Sequence, residues 1–240
     1  MKGIVMGISY LDNNSWNDIT REERLFCSHL YHSILSLSDR KQFIAKLNSI
    51  NSPIDSFENR LNLSEESHWE VGFEVCFYRD LIFAIGPDYR ISRSIRTVNT
   101  NDRIQLSEKR TFDLCLFSND ELVIIEAKSF QGLSNEQNEE FMNDEQQIEK
   151  LFNYLEANGF PHNKPIVKLV VLASSRYFDS KSFTLEKGIG KKLLDNVNRN
   201  YLCGLISWKQ ISDFLFPCDP IFKRADIIYE KSKNDQFSGG

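Results

Sequence analysis

Residues 110–132 read RTFDLCLFSNDELVIIEAKSFQG, two apolar runs joined by the polar tripeptide Ser118-Asn119-Asp120. Both runs are of strand length, and a turn at Asn119-Asp120 predicts a β-hairpin. With that turn Ser118 faces Glu121, and the same pairing carried back along both strands sets Asp113 directly opposite Glu126. Cross-strand partners share a face, with Cβ atoms about 4.5–5.5 Å apart. Lys128 lies two residues beyond Glu126 and returns to that face. A four-residue turn over 118–121 keeps this register, whereas a slip of one residue would part the two carboxylates.

Two carboxylates so placed repel each other, and burial adds to the cost of ionising both. A hard divalent cation relieves both penalties. Mg²⁺ takes oxygen ligands, keeps several waters and commonly uses one or two carboxylates together with phosphate oxygens. Beside it, Lys128 could orient or activate a water, or stabilise negative charge developing on phosphate. The constellation suits phosphodiester hydrolysis. Two other Asp-x-Lys triplets, Asp39–Lys41 and Asp179–Lys181, lie on no apolar strand and face no partner acid. The competing account of the hairpin charges is an ion cluster at a solvent-facing sheet edge; the flanking FDLCLF and LVII runs favour burial.

Outward from the hairpin the pattern alternates between helix and strand. Upstream, Thr20-x-x-Glu23 has the form of a capping box, followed by Phe26, Leu30, Ile34 and Leu37 near a 3.6-residue period. A short second helix carries Phe43, Ile44 and Leu47, and "NSPIDS" ends it. Residues 64–81 are apolar on most sides and are expected to form a third helix, buried between layers. "YRISRSIRTV" alternates as a strand leading into the hairpin. Downstream, 136–157 revert to a helix through Phe141, Ile148, Leu151, Phe152 and Leu155. "PIVKLVVLAS" and "YLCGLISW" are buried strands, and "KQISDFLF" is a short helix after them. The expected class is α/β with a mixed sheet. It divides into an N-terminal helical region, 1–63, and a second unit, 64–240.

Asp113, twelve intervening residues and then Glu126-Ala127-Lys128 resemble the D…(D/E)-x-K motif of the PD-(D/E)XK superfamily of restriction-endonuclease-like nucleases. The resemblance covers roughly residues 64–175, and Phe112 stands where many members have proline. It implies a restriction-endonuclease-like core of αβββαβ order with an N-terminal helical extension. It also implies a Mg²⁺ ion, replaceable by Mn²⁺, on Asp113, Glu126 and the main-chain carbonyl of Ala127. Members often carry a further glutamate on the helix before the strands; Glu74 is the first choice for that place and Glu70 the second. Glu22 and Glu23 are set aside, because capping accounts for Glu23. A polar residue on the helix after the motif often touches phosphate or water there, a role that would fall to Gln147.

The expected function is therefore a metal-dependent endonuclease of restriction type acting on nucleic acid, with DNA as substrate. Arg96 and Arg110, in an arginine-rich stretch over 90–110, would contact phosphates and position the substrate without reading its sequence. Cutting both strands of a duplex needs two such sites, hence a homodimer or a protein partner. The competing function is a non-catalytic module for binding nucleic acid or protein that keeps the nuclease fold. The long helical N-terminal region and the acidic balance fit that role.

Composition narrows the classes further. The chain has 240 residues, 41% hydrophobic and 26% charged, with a net charge of −5, so the whole molecule is no electrostatic sponge for nucleic acid. Acid gathers after Gln131, in Glu136, Glu139, Glu140, Asp144 and Glu145, and reads as solvated surface. No apolar run reaches the roughly 20 residues that span a bilayer, and no secretory signal is expected at the N-terminus. The five cysteines form no CxxC pair, which favours free thiols and an expected location in the reducing cytoplasm over disulfides or a zinc cluster. His29 and His32 stand three apart with no third ligand at a recognisable spacing, which argues against zinc. No GxxxxGK[ST] or GxGxxG occurs, which leaves no motif for a nucleotide enzyme.

Overall fold

The computed structural model describes residues 23–77, 80, 110–157, 164–180, 183, 189–217 and 219–237. Helices α1 (Glu23–Leu35) and α2 (Arg40–Asn48) come first, then strands β1 (Glu70–Val75), β2 (Phe112–Phe117) and β3 (Glu121–Ala127). Helix α3 (Asn135–Ala157) leads to β4 (Ile166–Ala173), and α4 (Ser175–Phe178) and α5 (Ile189–Asn196) lead to β5 (Leu202–Ser207). The chain closes with α6 (Trp208–Gln210), a π-helical turn over Ile211–Leu215 and α7 (Pro220–Phe237). The strands lie in the order β1-β2-β3-β4-β5: β1, β2 and β3 form an antiparallel meander, and β4 and β5 continue it in parallel. The class is mixed α/β. Among the described residues no helix is long and apolar enough to cross a membrane.

Side-chain alternation sorts the sheet into two cores. Leu122, Ile124, Leu169 and Val171 pack on one face with Phe141, Ile148 and Leu151 of α3 and with Leu193 of α5. Val123, Ile125, Val170 and Leu172 pack on the other with Phe26, Leu30 and Ile34 of α1, Ile44 of α2 and Phe222 of α7. The outer edge of β5 is covered by the segment before β1. The Asn59 side-chain amide accepts from the Leu205 N–H at 2.8 Å and donates to its carbonyl at 3.0 Å, standing in for a neighbouring strand.

Three expectations change. The stretch 64–81 is not a helix: residues 64–69 are non-helical and 70–75 form β1, the first strand of the meander. Val71, Phe73 and Val75 alternate with polar or small residues, and Gly72 costs a helix about 1 kcal/mol relative to alanine. Pairing with β2 then decides the matter. Helix α7 is an addition, signalled by Asp219, whose carboxylate accepts the Ile221 N–H, and by Pro220 in the first turn. The third change concerns Asp144, which is buried on α3 rather than solvated. The strand expected over "YRISRSIRTV" lies outside the described residues.

Candidate active site

The β2–β3 register runs Leu114↔Ile125, Cys115↔Ile124, Leu116↔Val123 and Phe117↔Leu122, the pairing expected from the Asn119-Asp120 turn. Asp113 and Glu126 are the next residues on the two strands, at the end of the hairpin. Asp113 Oδ2 accepts the Ala127 N–H at 2.8 Å, which fixes its carboxylate against the neighbouring strand. Glu126 is only 4% exposed. Its Oε1 accepts from Lys128 Nζ at 3.3 Å. Its Oε2 is buried with no hydrogen-bond partner among the described residues, with Arg110 Nη2 at 3.7 Å. Burial and the Asp113 carboxylate push the Glu126 pKa up to about 7, against the pull of Lys128 and Arg110.

The Lys128 ammonium is buried and bonded in three directions: to the Ala127 carbonyl at 2.7 Å, to Glu23 Oε1 at 3.1 Å and to Glu126 Oε1 at 3.3 Å. Burial opposes its charge, but Glu126, Glu23 and Asp113 hold its pKa above the ordinary lysine value. Its backbone is pinned on both sides. The Lys128 N–H donates to the Leu172 carbonyl at 2.7 Å, and Trp208 Nε1 donates to the Lys128 carbonyl at 3.1 Å.

The glutamate that reaches this lysine from a helix is Glu23, at the start of α1. Its Oε1 meets Lys128 and its Oε2 accepts the Ser129 N–H at 2.9 Å, so capping does not account for it. Burial raises its pKa against the pull of Lys128. Glu74 sits on β1, not on a helix, between Phe73 and Val75, which pair with Leu114 and Phe112 of β2. At φ 53° it adopts the left-handed region, uncommon for a residue with a side chain, and its Oε1 pairs with Arg24 Nε at 3.2 Å. Glu70 is exposed at the other end of β1, with His68 Nε2 at 3.6 Å.

Arg110 is not a free cation for substrate phosphates in this structure. Its Nη2 and Nε donate to Asp144 Oδ2 at 2.9 and 3.2 Å, its Nη1 lies 3.5 Å from Glu140, and the guanidinium stacks 4.8 Å above the Phe112 ring. Burial works against its charge, yet Glu126, Asp144 and Glu140 hold its pKa up. Asp144 occupies the apolar stripe of α3 between Phe141 and Ile148, and burial raises its pKa against the pull of Arg110. Gln147 is buried on the same helix. Arg96 lies outside the described residues. The residues that reading by motif passed over are Glu23 and Asp144. For Asp144 a signal existed: its spacing of three from Phe141 and four from Ile148 is that of a core position.

Among the described residues no three His, Cys, Asp or Glu side chains could hold a metal ion by themselves. A cation at this place would rest on the Asp113 and Glu126 carboxylates, the Ala127 carbonyl that the resemblance implies, and water, a set that Mg²⁺ accepts. The donors fit: all are hard oxygens, and Glu126 Oε2 is a buried carboxylate oxygen with no hydrogen-bond partner among the described residues, Arg110 Nη2 lying 3.7 Å away. Among the described residues the cluster is rich in acid: Glu23 and Glu126 pair with Lys128, and Glu126, Asp144 and Glu140 gather on Arg110. No family model, curated protein or solved structure matches this chain.

Proposed function

We propose that the protein is a divalent-cation-dependent nuclease with a restriction-endonuclease-like core, hydrolysing phosphodiester bonds of DNA. The observation that carries this reading is the hairpin end, where Asp113 Oδ2 accepts the Ala127 N–H next to Glu126 and the Lys128 ammonium donates to Glu126. The order helix, three-strand meander, helix, strand supports it, with β1 at 70–75 in place of the expected first strand.

Asp113, Glu126 and the Ala127 carbonyl would hold Mg²⁺ or Mn²⁺. The ion would lower the pKa of an attacking water and polarise the phosphoryl group. Lys128 Nζ supplies a positive charge for the non-bridging phosphate oxygens as negative charge builds on them. Glu23 aims that ammonium, and Arg110, clamped by Asp144, holds a fixed positive charge beside Glu126 Oε2. Glu74 joins through its ion pair with Arg24, the neighbour of Glu23. Cutting both strands of a duplex requires a second copy of the chain or a partner that brings another site.

The test is incubation of purified protein with supercoiled plasmid, linear duplex and single-stranded RNA, in Mg²⁺, Mn²⁺ or chelator. Cleavage of DNA with Mg²⁺ is expected, falling by at least about 100-fold in Asp113→Asn, Glu126→Gln and Lys128→Met. Equal cleavage by the wild type and all three variants would identify a contaminant and sink the proposal. Tight nucleic-acid binding without cleavage under any condition would instead establish the non-catalytic module.

A further inference from the structure

The three acceptors around Lys128 Nζ use all three of its N–H bonds. Two of them, the Ala127 carbonyl and Glu126, are the oxygens expected of a bound metal. The third, Glu23 Oε1, is not. It bonds the ammonium, and its carboxylate is held in place from behind by the Ser129 N–H on Oε2. The backbone of Lys128 cannot follow a moving side chain, because Leu172 and Trp208 hold it. Any departure of the ammonium from Ala127 is therefore a swing of the side chain alone. An ammonium and a divalent cation sharing one carbonyl and one carboxylate in a buried site repel strongly.

We propose that the Lys128 ammonium and the divalent cation compete for the Ala127 carbonyl and Glu126, and that Glu23 is the acceptor that takes over the ammonium when the cation binds. This rests on the metal-centre reading above and concerns how that centre is loaded. In the metal-free protein the lysine fills the cation's place and prevents Glu126 and Asp113 from repelling each other unopposed. In the loaded protein it stands beside the centre on Glu23, where its charge is available to substrate. Glu23 is thus a positioning residue, acting through Lys128.

Mn²⁺ affinity of the full chain, measured by titration calorimetry, tests this with a double-mutant cycle. Lys128→Met is expected to tighten Mn²⁺ binding about tenfold or more, since the internal competitor is gone. Glu23→Gln should weaken binding about fivefold with Lys128 present, but less than about twofold in the Lys128→Met background. A Glu23→Gln loss of equal size in both backgrounds would mean that Glu23 acts only through its charge, and would overturn the proposal. Should Lys128→Met fold poorly, the wild-type Lys128 ¹⁵Nζ resonance decides: it should move on Mg²⁺ addition, and an unmoved resonance at saturation overturns the competition. The metal centre itself fails separately, if neither the wild type nor Lys128→Met binds Mn²⁺ or if Glu126→Gln leaves binding unchanged.

Discussion

Glu126 concentrates the physics of the site in one side chain. Its folded pKa of about 7 lies above the unfolded 4.5, so the native state binds that proton more tightly than the unfolded chain. The stabilising contribution is complete below about pH 4.5 and is lost as pH rises through 7. The protein should therefore lose stability as pH rises between those limits, by an amount on the order of a few kcal/mol. Urea unfolding of chelator-treated protein at pH 5 and pH 8 measures it; Glu126→Gln should flatten that part of the profile, and an identical profile in the variant would contradict it. Asp113, Glu126 and Lys128 were legible because strand alternation and a two-residue turn suffice to align them. Glu23 was not, because its contact with Lys128 joins positions 105 residues apart and its local sequence already resembles a cap.

At the scale of elements, an ion pair unrelated to the chemistry ties the sheet to the chain before it. Lys168 on β4 and Glu121 on β3 are both buried and pair directly; Lys168 Nζ also donates to the Leu61 carbonyl at 2.6 Å, and Glu121 accepts the Ser64 N–H at 3.0 Å. Removing one charge strands the other, so Lys168→Met or Glu121→Gln should each cost about 3–5 kcal/mol. The double variant should cost markedly less than the two added together, a coupling that chemical denaturation of all four proteins resolves. A second element-scale case is Gly132, just after the motif. A Cβ there would lie 2.1 Å from Tyr177 Cε2, whose hydroxyl accepts the Leu133 N–H at 3.1 Å. Gly132→Ala should destabilise by about 1–3 kcal/mol, read as a lower melting temperature. Strand β1 shows why element type was only partly legible: a short apolar stretch fits a buried helix or a buried strand equally, and only β2 alongside chooses between them.

Across the whole molecule, α7 holds the ends of β4 and β5 together. The buried Asp226 accepts from the Ser175 N–H and hydroxyl at 2.6 and 2.7 Å and from the Lys209 N–H at 3.1 Å, while its carbonyl accepts the Ser174 hydroxyl. Asp226→Ala should therefore cost about 3 kcal/mol or more by leaving the Ser175 and Lys209 donors unpaired. Because Trp208, beside that cluster, also donates to the Lys128 carbonyl, the same variant should loosen the site, seen as faster amide exchange at Lys128 and Ser129. By itself the sequence determined what short-range geometry can carry: the α1, α2 and α3 stripes, the β2–β3 hairpin and its register, and the placing of Asp113 and Glu126 at the end of the hairpin. Periods of 2 and 3.6 residues and a tight turn act within a few residues and need no partner. Tertiary structure alone decided that 70–75 is a strand, that Arg110 is clamped by Asp144, and that Glu23 receives Lys128. Those outcomes depend on groups remote in sequence competing for buried charge, and that competition is settled only when the layers close.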